Sequence, residues 1–177
     1  MKNLIPLFLV LICSNLGFTQ ENSNPSPEIF IQANFAYSYI DDFTVPIAYG
    51  VGTEAKINDR FSIGGTFNYG TSNLYRRTFI DPNIKFYPKK VFKGFFLTTG
   101  ASYTQLKSKN ELIPLGYPFD DDRGSEVSFF SLNAGLGIST LVKNKWSIAL
   151  SVSLAASLDG DLDETMVKSN FTVGYGF

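Results

Sequence analysis

At 177 residues and a formal charge of −1, the chain has room for one domain once an export segment is set aside. Its charges are spread too evenly for the basic stripe that nucleic-acid binding requires, so no nucleic-acid partner is expected. Aromatic residues make up 15%, glycines number 15 and histidine is absent; this skew suits sheet rather than helix and removes the usual catalytic base.

Met1-Lys2-Asn3, then apolar Leu4 to Ile12, then small and polar residues up to Gln20 have the layout of a secretory signal peptide. Residues 1–19 are read as that signal, with Gly17 and Thr19 at positions −3 and −1 of a cut before Gln20. The apolar run falls short of the roughly 20 residues that a spanning helix needs. Cys13, the only cysteine, follows Ile12 rather than a small residue, so lipidation is not expected and the mature chain has no thiol chemistry. Residues 20–27 are polar, carry two prolines and read as a periplasmic lead-in, leaving 28–177 as the folded unit.

From Ile29 onward a period of two dominates. Ile29, Ile31, Ala33, Phe35, Tyr37 and Tyr39 alternate with Gln32, Asn34, Ala36 and Ser38 in a first strand. Ile47, Tyr49, Val51, Thr53, Ala55 and Ile57 alternate with Ala48, Gly50, Gly52, Glu54 and Lys56 in a second. Asn58-Asp59-Arg60 turns the chain into a third strand, where Phe61, Ile63, Gly65, Phe67 and Tyr69 oppose Ser62, Gly64, Thr66 and Asn68; these two form a hairpin. A fourth strand is expected from about Thr78 to Tyr87, weakened by Pro82, which cannot donate to a ladder.

Pro88 to Lys93 reads as a basic turn. The fifth strand alternates Phe95, Leu97, Thr99, Ala101 and Tyr103 with Phe96, Thr98, Gly100 and Ser102, and Lys107 to Ser125 reads as the longest loop. In the sixth, Phe130, Leu132, Ala134, Leu136 and Ile138 oppose Ser131, Asn133, Gly135 and Gly137, with a change of phase after Phe129 that predicts a bulge. After the turn Lys143-Asn144-Lys145, Trp146, Ile148, Leu150, Val152 and Leu154 mark the seventh strand. The acidic loop Asp159 to Glu164 leads to the eighth, with Val167, Phe171, Val173, Tyr175 and Phe177 on one face and Lys168, Asn170, Thr172, Gly174 and Gly176 on the other.

The second face is mostly Gly, Ser, Ala, Thr and Asn. A soluble protein shows water long charged side chains, whereas a small membrane barrel points apolar residues at lipid and packs small or polar ones into a narrow lumen. Segments of 9 to 13 residues match tilted membrane strands. The connections after strands two, four and six are short turns, and the longest lie on the other side, as in outer-membrane barrels. Tyr37, Tyr39, Tyr69, Tyr103, Trp146 and Tyr175 lie near strand ends on the outward face, where interfacial girdles belong. The expected fold is an eight-stranded antiparallel up-and-down transmembrane β-barrel in outer-membrane lipid. A soluble, lipocalin-like exported barrel is the alternative, and its apolar face would point inward.

The signal peptide, the alternating strands and the ending Phe171-Thr-Val-Gly-Tyr-Gly-Phe177 resemble the small outer-membrane β-barrel families, the OmpA-barrel and OmpX-like group in particular. Asn83-Ile-Lys-Phe-Tyr-Pro-Lys-Lys followed by Lys93-Gly-Phe-Phe-Leu looks like the central hairpin of uncharacterised outer-membrane β-barrel domain proteins. The resemblance implies that Val173, Tyr175 and Phe177 are a signal read by the barrel-assembly machinery. It implies no activity.

No Ser-His-Asp arrangement is possible without histidine, and the carboxylates of Asp120 to Asp122 and Asp159 to Glu164 read as solvated loop charge rather than as an acid/base pair or an EF-hand calcium loop. No enzyme, cofactor or metal is expected. Glu54, Lys56, Asp81, Lys85 and Lys168 fall on the inner face, where unpaired charge is costly, and are expected to form a charge network. Two functions follow. In one, the barrel anchors Lys107 to Ser125, whose Tyr117, Phe119, Asp120, Asp121, Asp122 and Arg123 contact an unidentified surface ligand; in the other, the inner charges serve a narrow transport or small-ligand path.

Overall fold

The computed structural model describes residues 27–40, 43–44, 47–71, 75–108, 126–158 and 165–177. The expected signal peptide, residues 20–26 of the lead-in and all six candidate contact residues from Tyr117 to Arg123 lie outside them. Eight long antiparallel strands build the molecule: β1 (Ile29–Ile40), β2 (Ala48–Lys56), β3 (Phe61–Thr71), β4 (Tyr75–Phe86), β5 (Gly94–Ser108), β6 (Glu126–Val142), β7 (Trp146–Ser157) and β8 (Thr165–Gly176). The short segment Phe43–Thr44 folds back on Tyr39 and Ile40 at the tip of β1. Each strand pairs with the next, and β8 returns to β1 from Phe30↔Gly176 to Tyr39↔Val167. The sheet therefore closes on itself as a barrel with no free edge.

The alternation seen in the sequence becomes an inside and an outside. Val51 and Leu136 are 64% and 54% exposed on the outer surface, whereas Glu54 and Lys168 are 3% and 2% exposed within. The apolar face points out, which is the reverse of the soluble alternative. Aromatic pairs ring both ends of this surface. Trp146 stacks edge-on with Tyr175 and Tyr175 with Phe177, at 5.0 and 5.2 Å between centroids, beside the short turns. Tyr103 with Phe130 (4.9 Å) and Phe35 with Tyr49 (5.6 Å) stand toward the other end.

Several expectations change in detail. The fourth strand starts at Tyr75 and the fifth runs to Ser108, so Lys107 and Ser108 belong to the sheet. Pro82 stays within β4, but the ladder to β5 steps from Ile80↔Tyr103 to Asn83↔Gly100 in one unbroken register, leaving Asp81 and Pro82 without β5 partners. The missing proline N–H costs bonds without shifting the strand. No bulge follows Phe129: β5 and β6 pair without interruption from Lys107↔Glu126 to Gly94↔Ser139. Val127 and Phe129 are buried on the inner face with Ser131, so the phase never changes and only the polarity of the lining does.

The largest departure is the turn after β4. Pro88 to Lys93 is basic at its surface, yet Val91 and Phe92 are 0% and 2% exposed and join Phe30, Tyr87, Phe96 and Leu141 in an apolar cluster across the turn-bearing mouth. Phe92 takes a left-handed conformation (φ 64°), as does Gly94 (φ 82°), and this reversal carries the Phe92 ring inward. Two backbone bonds fix the turn to its neighbour: Tyr87 N donates to Arg60 O (2.7 Å) and Val91 N to Asp59 O (2.8 Å). Space for the Phe96 ring comes from Gly137, where a Cβ would strike that ring and the Leu150 carbonyl. Phe92→Ala opens a cavity in this cluster and is expected to cost about 3–5 kcal/mol. Urea unfolding in detergent micelles, with outward-facing Phe130→Ala as the control, measures the difference.

Candidate functional site

The lumen is the one place where chemistry-bearing groups converge among the described residues, and it is organised in tiers. Nearest the apolar plug is Glu54, a buried β2 carboxylate that accepts four hydrogen bonds. Lys85 Nζ (2.5 Å) and Gln32 Nε2 (2.8 Å) donate to Oε2; Ser62 Oγ (2.5 Å) and the Tyr87 hydroxyl (3.1 Å) donate to Oε1. Strands β1, β2, β3 and β4 and the following turn thus meet at one carboxylate. The Lys85 ammonium also lies 5.2 Å from the centroid of the Phe96 ring, which joins the polar tier to the plug beneath.

A second ion pair lies across the barrel. Lys168 Nζ of β8 donates to Asp81 Oδ1 of β4 (3.0 Å) and to Ser102 Oγ of β5 (2.5 Å), while Asn133 Nδ2 of β6 donates to the same hydroxyl (2.5 Å). Between the ion pairs runs an amide chain: Thr172 Oγ1 donates to Asn34 Oδ1 (3.1 Å), Asn34 Nδ2 to Asn68 Oδ1 (2.7 Å) and Asn68 Nδ2 to Thr66 Oγ1 (2.8 Å). Both ion pairs, with Gln32, Asn34, Thr66, Asn133 and Thr172, line a cavity of about 60 Å³, room for a few water molecules.

Of the five charges expected in this network, the structure brings four together, as Glu54–Lys85 and Asp81–Lys168. Lys56 is set apart. It sits at the last position of β2 and reaches across the turn to Asp59 (Nζ–Oδ1 2.7 Å), because the strand ends there and the nearest carboxylate is in the turn. The Lys56 hydrogen bond and charge hold the Asp59 carboxyl below the ordinary aspartate range.

Arg77 lies ahead of the strand that the sequence predicts from Thr78, and the structure adds it to β4. It is 1% exposed, stacks over Phe79 with Cζ 4.3 Å from the ring centroid and donates from Nη2 to the Met166 sulfur (3.3 Å). Its Nε and Nη1 have no hydrogen-bond partner among the described residues. Lys168 approaches the same ring (5.4 Å). The signal was present in the sequence: Arg77 shares the parity of Phe79 and Asp81. Parity also places the uncharged partners of Glu54, Gln32 and Ser62, on the inner face, but only the closed barrel sets them, with Tyr87, at one carboxylate.

No family model matches the chain, and no curated protein is similar to it in sequence. Solved structures are similar in shape. The N-terminal β-barrel domain of Pseudomonas aeruginosa OprF aligns over 85% of this chain and 100% of its own with TM-score 0.58 at 8% identity. Neisserial surface protein A aligns over 87% and 100% with TM-score 0.55 at 13% identity. The attachment invasion locus protein Ail of Yersinia pestis aligns over 86% and 98% with TM-score 0.53 at 16% identity. The fold is that of the small outer-membrane barrels.

If the ion pairs are structural, breaking one from a single side strands a buried charge. Lys85→Met is expected to cost about 3–5 kcal/mol, and adding Glu54→Gln to recover a large part of it. Urea unfolding of the two variants in micelles tests this, and equal losses in both would show that Lys85 packs rather than pairs.

Proposed function

We propose that the chain is an integral outer-membrane barrel, exported by cleavage of residues 1–19, that acts as a non-conducting and non-catalytic anchor and presents its outer connections for contact. One observation carries this reading: an apolar exterior encloses a lumen filled by ion pairs and closed at the turn-bearing end by Phe30, Tyr87, Val91, Phe92, Phe96 and Leu141. A transport path would need continuous polar space, and the polar cavity of about 60 Å³ supports at most a few waters.

On this reading outer-membrane lipid is the solvent of the exterior, and Tyr117, Phe119, Asp120, Asp121, Asp122 and Arg123 meet the unidentified surface ligand. Val173, Tyr175 and Phe177 serve the assembly machinery. Their place on the outward face at the end of the chain, with Tyr175 stacked on Trp146 and Phe177 on Tyr175 at the turn-bearing end, supports a role in docking during insertion.

Membrane fractionation, a comparison of boiled and unboiled samples on a gel, and planar-bilayer recording test this directly. The expected results are outer-membrane recovery, a boiling-dependent mobility shift and no steady conductance; discrete open-channel steps would favour the transport reading. Leu136→Lys adds a second check. Placed within the apolar belt, the lysine should destabilise the barrel in vesicles by about 2–4 kcal/mol. In a water-soluble protein a side chain this exposed would tolerate the change with little cost.

A further inference from the structure

The three short turns all lie at one end of the barrel, and they are basic. Arg60 in the first turn, Lys89, Lys90 and Lys93 in the second, and Lys143 and Lys145 in the third are exposed or half-exposed, against Asp59, already paired with Lys56, and Glu28. By sequence, the connections that leave the opposite ends of the strands carry ten of the chain's 16 acidic residues and only Lys109 and Arg123 as cations. A net charge of −1 therefore conceals, by sequence, an uneven division of charge between the two sets of connections.

The basic groups stand at the border of the apolar belt. Arg60 is followed directly by Phe61 and Lys145 by Trp146, while Val142 precedes Lys143 and Phe95 comes two residues after Lys93; the four apolar side chains are 39%, 45%, 42% and 47% exposed on the outer surface. One residue of strand rises about 3.3 Å, so these ammonium and guanidinium groups sit within side-chain reach of the plane where the belt ends. In a bilayer that plane is occupied by headgroups. The turns are also rigidly placed: the second is bonded to the first through Tyr87 and Val91, and Lys145 N donates to Val142 O (3.2 Å) in the third.

We propose that this end of the barrel is a binding collar for anionic phospholipid headgroups, which it gathers around the turns. The proposal rests on the membrane reading above and adds the lipid class. Lysine at a membrane surface attracts anionic lipid by Coulomb forces that salt screens. Because the collar continues the apolar belt without a break, one lipid molecule can meet the aromatic girdle with its acyl chain and the collar with its phosphate. A soluble anionic partner would gain only the second contact.

Trp146 is the only tryptophan and lies beside Lys143 and Lys145, so its fluorescence reports on the lipid at this end. The full barrel is refolded into phosphatidylcholine vesicles containing a minor fraction of brominated phosphatidylglycerol or, in parallel, the same fraction of brominated phosphatidylcholine. Quenching by the brominated phosphatidylglycerol should be about twofold greater or more. The excess should fall as salt is raised and should vanish in the variant Lys89→Gln/Lys90→Gln/Lys143→Gln/Lys145→Gln, which leaves Val91 and Phe92 in place. Equal quenching by both lipids, in protein that still shows the boiling-dependent shift, overturns the collar and points the basic end to a soluble anionic partner. An excess that survives in the fourfold variant overturns it as well. Quenching by neither lipid, with no boiling shift, brings down the membrane reading itself and the collar with it.

Discussion

A backbone surrounded by apolar material has no water to bond its N–H and C=O groups, and each pair left unmet costs several kcal/mol. Ten register pairs between β8 and β1, from Phe30↔Gly176 to Tyr39↔Val167, answer that requirement by turning an eight-strand sheet into a ring. Once the ring closes, each strand has one face to the lumen and one to the surroundings. Ile29, Ile31 and Phe35 must then point outward because Gln32, Asn34 and Ser38 point inward. The interruption opposite Pro82 is tolerable for the same reason, since matched register on either side keeps the ring intact.

A ring of eight strands encloses a space only wide enough for side chains, and the lining divides it by polarity. Small residues and amides let charged side chains cross the barrel and meet: Lys85 reaches Glu54, and Lys168 reaches Asp81. Neither pair is a large net source of stability, because desolvation offsets much of the attraction; their strength is in what removal of one partner would leave behind. Donors from Gln32, Ser62 and Tyr87 to Glu54, and the Ser102 hydroxyl oxygen that accepts from Lys168, complete the shells of these ions, which is the condition under which buried charge is tolerated. The plug supplies what the polar tiers do not, a dry closure at the turn-bearing mouth made by rings and branched side chains.

The two ends of the barrel differ for a topological reason. An even number of hairpin-linked strands gathers the turns after β2, β4 and β6 at one end and sends the other connections, including the longest, between Ser108 and Glu126, to the opposite one. The charged residues of these three turns are cationic except for Asp59, so chain connectivity gathers positive charge at this end. Aromatic stacking at Trp146, Tyr175 and Phe177 marks the level at which the apolar surface gives way to that basic end.

Strict alternation and turn spacing determined the strand number, the outward and inward sets and the inner position of Glu54, Asp81, Lys85 and Lys168, because a period of two assigns a face without knowledge of any partner. That logic failed where a residue leaves the regular ladder or where polarity and face disagree. Val91 and Phe92 look like part of a basic surface turn until the left-handed step at Phe92 and the bonds to Asp59 and Arg60 send them into the mouth. Val127 and Phe129 looked out of phase because apolar residues were expected outside, whereas the outer half of the lumen has apolar lining of its own. Pairing was also beyond the sequence. Lys85 and Glu54 are 31 residues apart and Lys168 and Asp81 are 87 apart, and only the curvature of the closed sheet, which sets distant strands across a narrow lumen, decides which ammonium meets which carboxylate and leaves Lys56 to the turn.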